Sequence, residues 1–154
     1  MNRRTALLSA ASALALAACG TITPAQAKTD VDLVADVVKV EVPIIRPSLP
    51  LAVQAQVTGY ADQIEAARQA IDKTLASGGT VNAQTFVAAL QALAPLIAAN
   101  APPNSPAAIA IASALALAPL ILAQFGSITA RQAPTISPAD AERHRMVLRG
   151  ALAR

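Results

Sequence analysis

The sequence predicts an all-α protein, a small bundle of four or five helices. Three observations lead there. Apolar residues make up 55% of the chain and charged residues only 14%, where an average soluble domain carries about 25% charge. Much of the apolar content is alanine and leucine, which lose little freedom in a helix. Apolar positions recur at three- and four-residue spacing, and Ser-Pro, Asn and Gly-Gly punctuate them where helices start and stop. Trp is absent, and Tyr60, Phe86 and Phe125 are the only aromatics, so the core is aliphatic. Alanine removes little surface from water, so modest stability is expected despite the high apolar fraction.

In chain order, residues 1–18 stand apart. Met1 to Gly20 reads MNRRTALLSAASALALAACG. A basic start, Arg3 and Arg4, precedes an apolar run of about 14 residues from Thr5 to Ala18. That run is short for a membrane span and suits a signal peptide. It ends in Leu16-Ala17-Ala18-Cys19-Gly20. This ending resembles the lipobox of bacterial lipoproteins. The resemblance covers about 20 residues and says nothing of the rest of the chain. It implies that a dedicated signal peptidase recognises Leu16, Ala17, Ala18 and Cys19 and cuts before Cys19, whose thiol carries the lipid. It further implies an exported envelope protein anchored in a membrane by acyl chains such as palmitate and facing the periplasm. Gly20, where an Asp would mark retention, resembles the outer-membrane class. Two other readings stay open. Ala25-Gln26-Ala27 before Lys28 fits an ordinary A-x-A cleavage site, and Arg3-Arg4 with Leu7-Leu8 resembles a twin-arginine signal.

Residues 19–29 read as a lipidated, flexible tether broken by Pro24, and 30–154 as the helical domain. Asp30 to about Lys39 is expected to be helical, with Val31, Val34, Val37, Val38 and Val42 in helical register. The run VVKVEV also alternates as a strand would, and Pro43, Pro47 and Pro50 then interrupt the pattern. Leu51 to Ala76 is the clearest amphipathic helix. Val57, Tyr60, Ile64, Ala67, Ile71 and Leu75 share a face, Glu65–Arg68 and Arg68–Asp72 are placed to pair, and Ser77-Gly78-Gly79 stops the helix. Asn82 is expected to cap a helix to Ala99 with Phe86, Leu90, Leu93 and Ile97 on one stripe. Ser105 caps the next, with Pro106 at its first position, running to Phe125. Pro95 and Pro119 lie inside these two helices, within a shared LAPLI pentapeptide. Ser137, Pro138 and Asp140 open a last helix that carries Arg143, His144, Arg145 and Arg149.

The charge pattern bears on function. The formal net charge is +3, but Arg3 and Arg4 fall in the segment expected to be removed, leaving ten basic against nine acidic residues. The basic residues are not interleaved with aromatics, so no nucleic-acid partner is expected. No charge occurs between Lys73 and Arg131. The hairpin 82–125 inside that gap reads as a packed helical pair, with insertion into a bilayer or self-association as alternatives. The arginines after residue 139 read as a solvated face, or as a contact for anionic lipid headgroups or an acidic partner. The lone cysteine excludes an internal disulfide and a cysteine-based zinc site. His144 is the only histidine and sits among arginines, Gly78-Gly79 lacks the lysine of a phosphate loop, and the carboxylates read as exposed. No catalytic, cofactor-binding or metal-binding residue is assigned, and no enzyme is expected. The sequence points to a structural or protein-interaction role for an anchored envelope lipoprotein, with an envelope protein or a second copy as partner. The alternative is a membrane-active protein that inserts the hairpin.

Overall fold

Apolar spacing sets where each helix lies. The computed structural model describes residues 24–102, 104–125 and 136–154. They form five helices: α1 (Pro24–Ile45), α2 (Leu51–Ala76), α3 (Gln84–Asn100), α4 (Pro106–Gln124) and α5 (Pro138–Leu152), with one 3₁₀ turn at Arg46–Ser48. The protein is a small all-α bundle, and no strand occurs among the described residues. Residues 1–18, expected to be a signal peptide, and the lipobox-like Leu16 to Gly20 lie outside them.

The valine stripe of α1 decides its character. Val31, Val34, Val37, Val38 and Val42 are all buried, which is the helical option of an ambiguous run. Burial against neighbouring helices outweighs the small intrinsic preference of valine for strands. The helix is longer than expected at both ends. It takes in every described residue from Pro24 on, so Pro24 to Thr29 are helical rather than part of a tether, and Ala27 is fully buried. At the other end α1 continues past Lys39 through Pro43. A proline two residues before a helix end forfeits one backbone hydrogen bond while leaving little helix beyond to misalign.

The other expectations hold with small shifts. Phe86, Leu90, Leu93 and Ile97 are each fully buried in α3. Asn82 is not the cap expected: that helix starts at Gln84 with Ala83 at the cap position and no side-chain cap bond, and Asn82 Oδ1 instead accepts from the Gln84 N–H at 2.8 Å in a local turn. Ser105 and Ser137 cap α4 and α5 by accepting from the N–H of Ala108 and Asp140. Gly78 takes φ 71° just beyond α2, the left-handed conformation that ends the helix. Both α3 and α4 run on through Pro95 and Pro119.

Side-chain contacts fix the directions of α2, α4 and α5 relative to α1. Lys28 near the start of α1 pairs with Asp72 near the end of α2, so these helices are antiparallel. Asp30 lies beside Gln124, at the end of α4, and beside Arg145 of α5. Eleven residues on, Glu41 meets Arg154, just past α5. Hence α4 runs against α1, and α5 runs with it. Helices α1 to α4 pack as a ring, each against the next and α4 back against α1; α5 lies across α1 and α4. The two ends of the bundle are distinct. One, the proximal end, holds the start of α1; the other, the distal end, holds Ile45, Pro106 and Leu152. The 22 residues of α1 separate them by about 33 Å.

Candidate functional site

Leu16, Ala17, Ala18 and Cys19, the residues singled out for lipid attachment, lie outside the described residues. What the bundle adds is a set of polar side chains that sequence spacing did not reveal.

The first set is buried. Arg145 Nε and Nη2 donate to the two carboxylate oxygens of Asp30, each at 2.7 Å. Asp30 is 1% exposed and the Arg145 side chain 11%. This bidentate pair joins α1 to α5 and holds the Arg145 guanidinium above its usual pKa, chiefly through the hydrogen bonds to Asp30. Gln124 Nε2 donates to Asp30 at 3.4 Å, while its Oε1 is buried without a partner among the described residues. Two expectations change here. Arg145 is not on a solvated face, and Asp30 and Glu41 are buried carboxylates rather than exposed ones. The reason is topological: α5 packs over α1, and only that packing brings residues 115 positions apart together.

The second set is a surface network at the proximal end. Arg68 grips Glu65 through Nε and Nη2 at 3.0 and 2.7 Å and reaches Asp32 at 3.5 Å and Asp72 at 3.6 Å. Lys28 pairs with Asp32 and with Asp72. The two pairs within α2 follow from its sequence; the cross-helix pairs to α1 require the antiparallel packing. The Glu65 carboxyl is held down to about 2, first by its hydrogen bonds from Arg68 and then by the Gln69 amide. A carboxylate with a depressed pKa contributes stability above its unfolded value of 4.5, and the contribution is lost as pH falls through about 2. Solvent screens so exposed a pair, so it contributes about 1 kcal/mol or less. Glu65→Gln is therefore expected to lower stability by up to that amount near pH ~7, with the difference fading as pH falls through ~2. Urea unfolding at both pH values checks this, and an equal loss at both would exclude an ionic role.

The arginines of α5 are engaged with carboxylates. Arg143 pairs with Asp140 at 3.1 Å, and Arg149 pairs with Glu142 at 2.8 Å. The helix therefore presents ion pairs rather than a row of free cations. Among the described residues no three His, Cys, Asp or Glu side chains gather as a metal site would require.

The third feature is a groove at the distal end, with a volume of about 320 Å³. Val40, Ile44, Pro102 and Pro106 give it apolar walls, and Glu41 and Arg154 meet at its edge. Glu41 is 3% exposed and accepts from Arg154 Nη2 at 2.8 Å. The Arg154 side chain is 48% exposed. Ile44, also on this wall, is 67% exposed, and Leu51, nearby in the chain at the start of α2, is 85% exposed. A buried carboxylate in an apolar groove left no mark in the sequence, where Glu41 is one acid within a valine-rich run.

Comparison with protein-family models, with curated proteins and with solved structures finds no match to this chain.

Proposed function

We propose that this protein is a lipid-anchored lipoprotein of the bacterial cell envelope whose helical bundle serves as a protein-interaction domain, not as an enzyme. The observation that carries the reading is the sequence Leu16-Ala17-Ala18-Cys19-Gly20 at the end of a basic-then-apolar leader. Acyl chains on Cys19 bind a bilayer by about 0.8 kcal/mol per buried CH₂, and two or more chains hold stably. Pro24, the first described residue of α1, is five residues from Cys19, a reach of at most about 17 Å. Anchoring at Cys19 therefore keeps the proximal end of the bundle close to the membrane surface.

The helix α1 also favours cleavage before Cys19 over cleavage before Lys28. A chain starting at Lys28 would lose Pro24 to Ala27, the first turn of α1, and with it the buried Ala27. For the uncharged hairpin, burial within the bundle supports the anchored-domain reading. By length and composition α4 could cross a membrane, but it packs against α1, α3 and α5 and contributes Ile111, Ala114, Leu117 and Ile121 to the core. Inserting it would require opening the bundle.

Intact mass of the mature protein tests the proposal, together with fractionation of wild type and of a serine variant, residues 19–154 with Cys19→Ser exported behind a leader that an ordinary signal peptidase removes. The expected result is a chain that begins at Cys19 and carries acyl mass, with the serine variant leaving the membrane fraction. An unmodified chain starting at Lys28 would sink the lipoprotein reading. A serine variant that resists washing from the membrane would instead favour the bilayer-inserted hairpin.

A further inference from the structure

The two buried carboxylates of α1 are held in very different ways. Asp30 is gripped by both arms of Arg145, itself nearly buried. Glu41 is buried to the same degree, yet its partner Arg154 makes one contact and lies half in solvent. An arginine in that position forgoes little by letting go, because a half-exposed ion pair is worth a fraction of a buried one. Glu41, by contrast, cannot be left alone in an apolar setting. The groove therefore has a fixed acceptor and an exchangeable donor.

We infer that the distal groove docks an apolar segment of a partner protein that presents an arginine, and that Arg154 holds the guanidinium place on Glu41 until the partner's arginine takes it. The inference rests on the interaction-domain reading and supplies the chemistry of its partner. Charge complementarity selects the occupant. Val40, Ile44, Pro102 and Pro106 offer apolar contact, and Glu41 asks for one cation with several N–H donors. Arg154 demonstrates that a guanidinium fits there, at 2.8 Å. Arginine and apolar side chains are also the groups that dominate binding energy at the desolvated centres of protein interfaces. The groove's volume of about 320 Å³ accommodates a few side chains, not a folded surface. Position agrees as well: with Cys19 in a bilayer, the groove lies at the end of the bundle away from the anchor.

The test uses the mature chain, residues 19–154, carrying Cys19→Ser, so that neither lipid nor leader competes for the groove. The probes are an acetylated, amidated tetrapeptide of three leucines and one arginine, and the same peptide with glutamine in place of arginine. Binding is followed by backbone amide shifts. The arginine peptide is expected to shift Val40, Glu41, Ile44 and Ala151, at least about fivefold more tightly than the glutamine peptide. Arg154→Ala removes the resident competitor and tightens the arginine peptide by roughly threefold. Glu41→Gln makes the two peptides equal, and its thermal midpoint reports whether it still folds. Arg154→Ala leaves Glu41 in place and keeps the test decisive if Glu41→Gln does not fold.

Equal affinity of the two peptides for both wild type and Arg154→Ala overturns the inference and leaves the pair as a staple for the end of α5. Concentration-dependent shifts of the same amides without peptide would assign the groove to a second copy. The same shifts on adding phosphatidylglycerol vesicles would assign it to lipid. Either result overturns the inference while leaving the anchor reading, which the mass of the mature chain decides separately.

Discussion

Asp30→Ala is expected to destabilise the bundle by about 3–5 kcal/mol, the largest effect of any single change to a polar side chain here. The substitution strands the Arg145 guanidinium, which is 11% exposed and has its two short hydrogen bonds on Asp30. Glu142 Oε2 remains at 3.4 Å from Arg145, but that carboxylate is half exposed and also serves Arg149. A buried cation with one weak partner costs several kcal/mol, unlike the loss of a surface pair. The double variant Asp30→Leu with Arg145→Met should recover most of the loss, because removing both charges also removes the desolvation cost that each imposed. A double-mutant cycle by urea unfolding measures the coupling. A loss below about 1 kcal/mol for Asp30→Ala would show that Arg145 reaches water when unpaired and that the pair does not fasten α5 to α1.

The comparison of Asp30 with the rest of α1 also shows what the sequence could reveal. Helices α2 to α5 were legible because each carries its own local signals. Examples are the Ile64, Ala67 and Ile71 stripe, the Ser105-Pro106 and Ser137-Pro138 starts, and the Gly78 stop. The full length of α1 was not. Pro24 and Pro43 look like breaks in a linear reading, and only packing of the valine stripe against α2, α4 and α5 reveals that both are tolerated. The polar features split the same way. Glu65–Arg68 is an i, i+3 pair that spacing predicts, whereas Asp30–Arg145 and Glu41–Arg154 join residues 115 and 113 positions apart. Their pairing depends on α5 running parallel to α1, a property of topology that no local pattern encodes. The lipobox-like ending at Cys19 is the opposite case, an expectation that rests on sequence alone and lies outside the described residues.

Phe86→Ala carries the second large expected effect and bears on the role of the uncharged hairpin. Among the described residues Phe86 is the largest fully buried side chain, placed in α3 between α2 and α4. In a core otherwise built from alanine and branched aliphatics, little nearby can move in to fill the space it leaves. A Phe→Ala change in such a site costs about 3–5 kcal/mol, a large share of the 5–15 kcal/mol that stabilises a typical domain. The thermal midpoint should fall by roughly 10–20 °C. Ile109 of α4 is the control, because it is 47% exposed and Ile109→Ala should change stability by about 0.5 kcal/mol or less. Both measurements are made by circular dichroism on residues 19–154 carrying Cys19→Ser, without lipid and then with vesicles. A packed hairpin predicts that the contrast between the two sites appears in plain buffer and is unchanged by vesicles. A hairpin that works inside a bilayer predicts the reverse: α3 and α4 would gain helix only with lipid, and Phe86 and Ile109, both facing acyl chains, would respond alike.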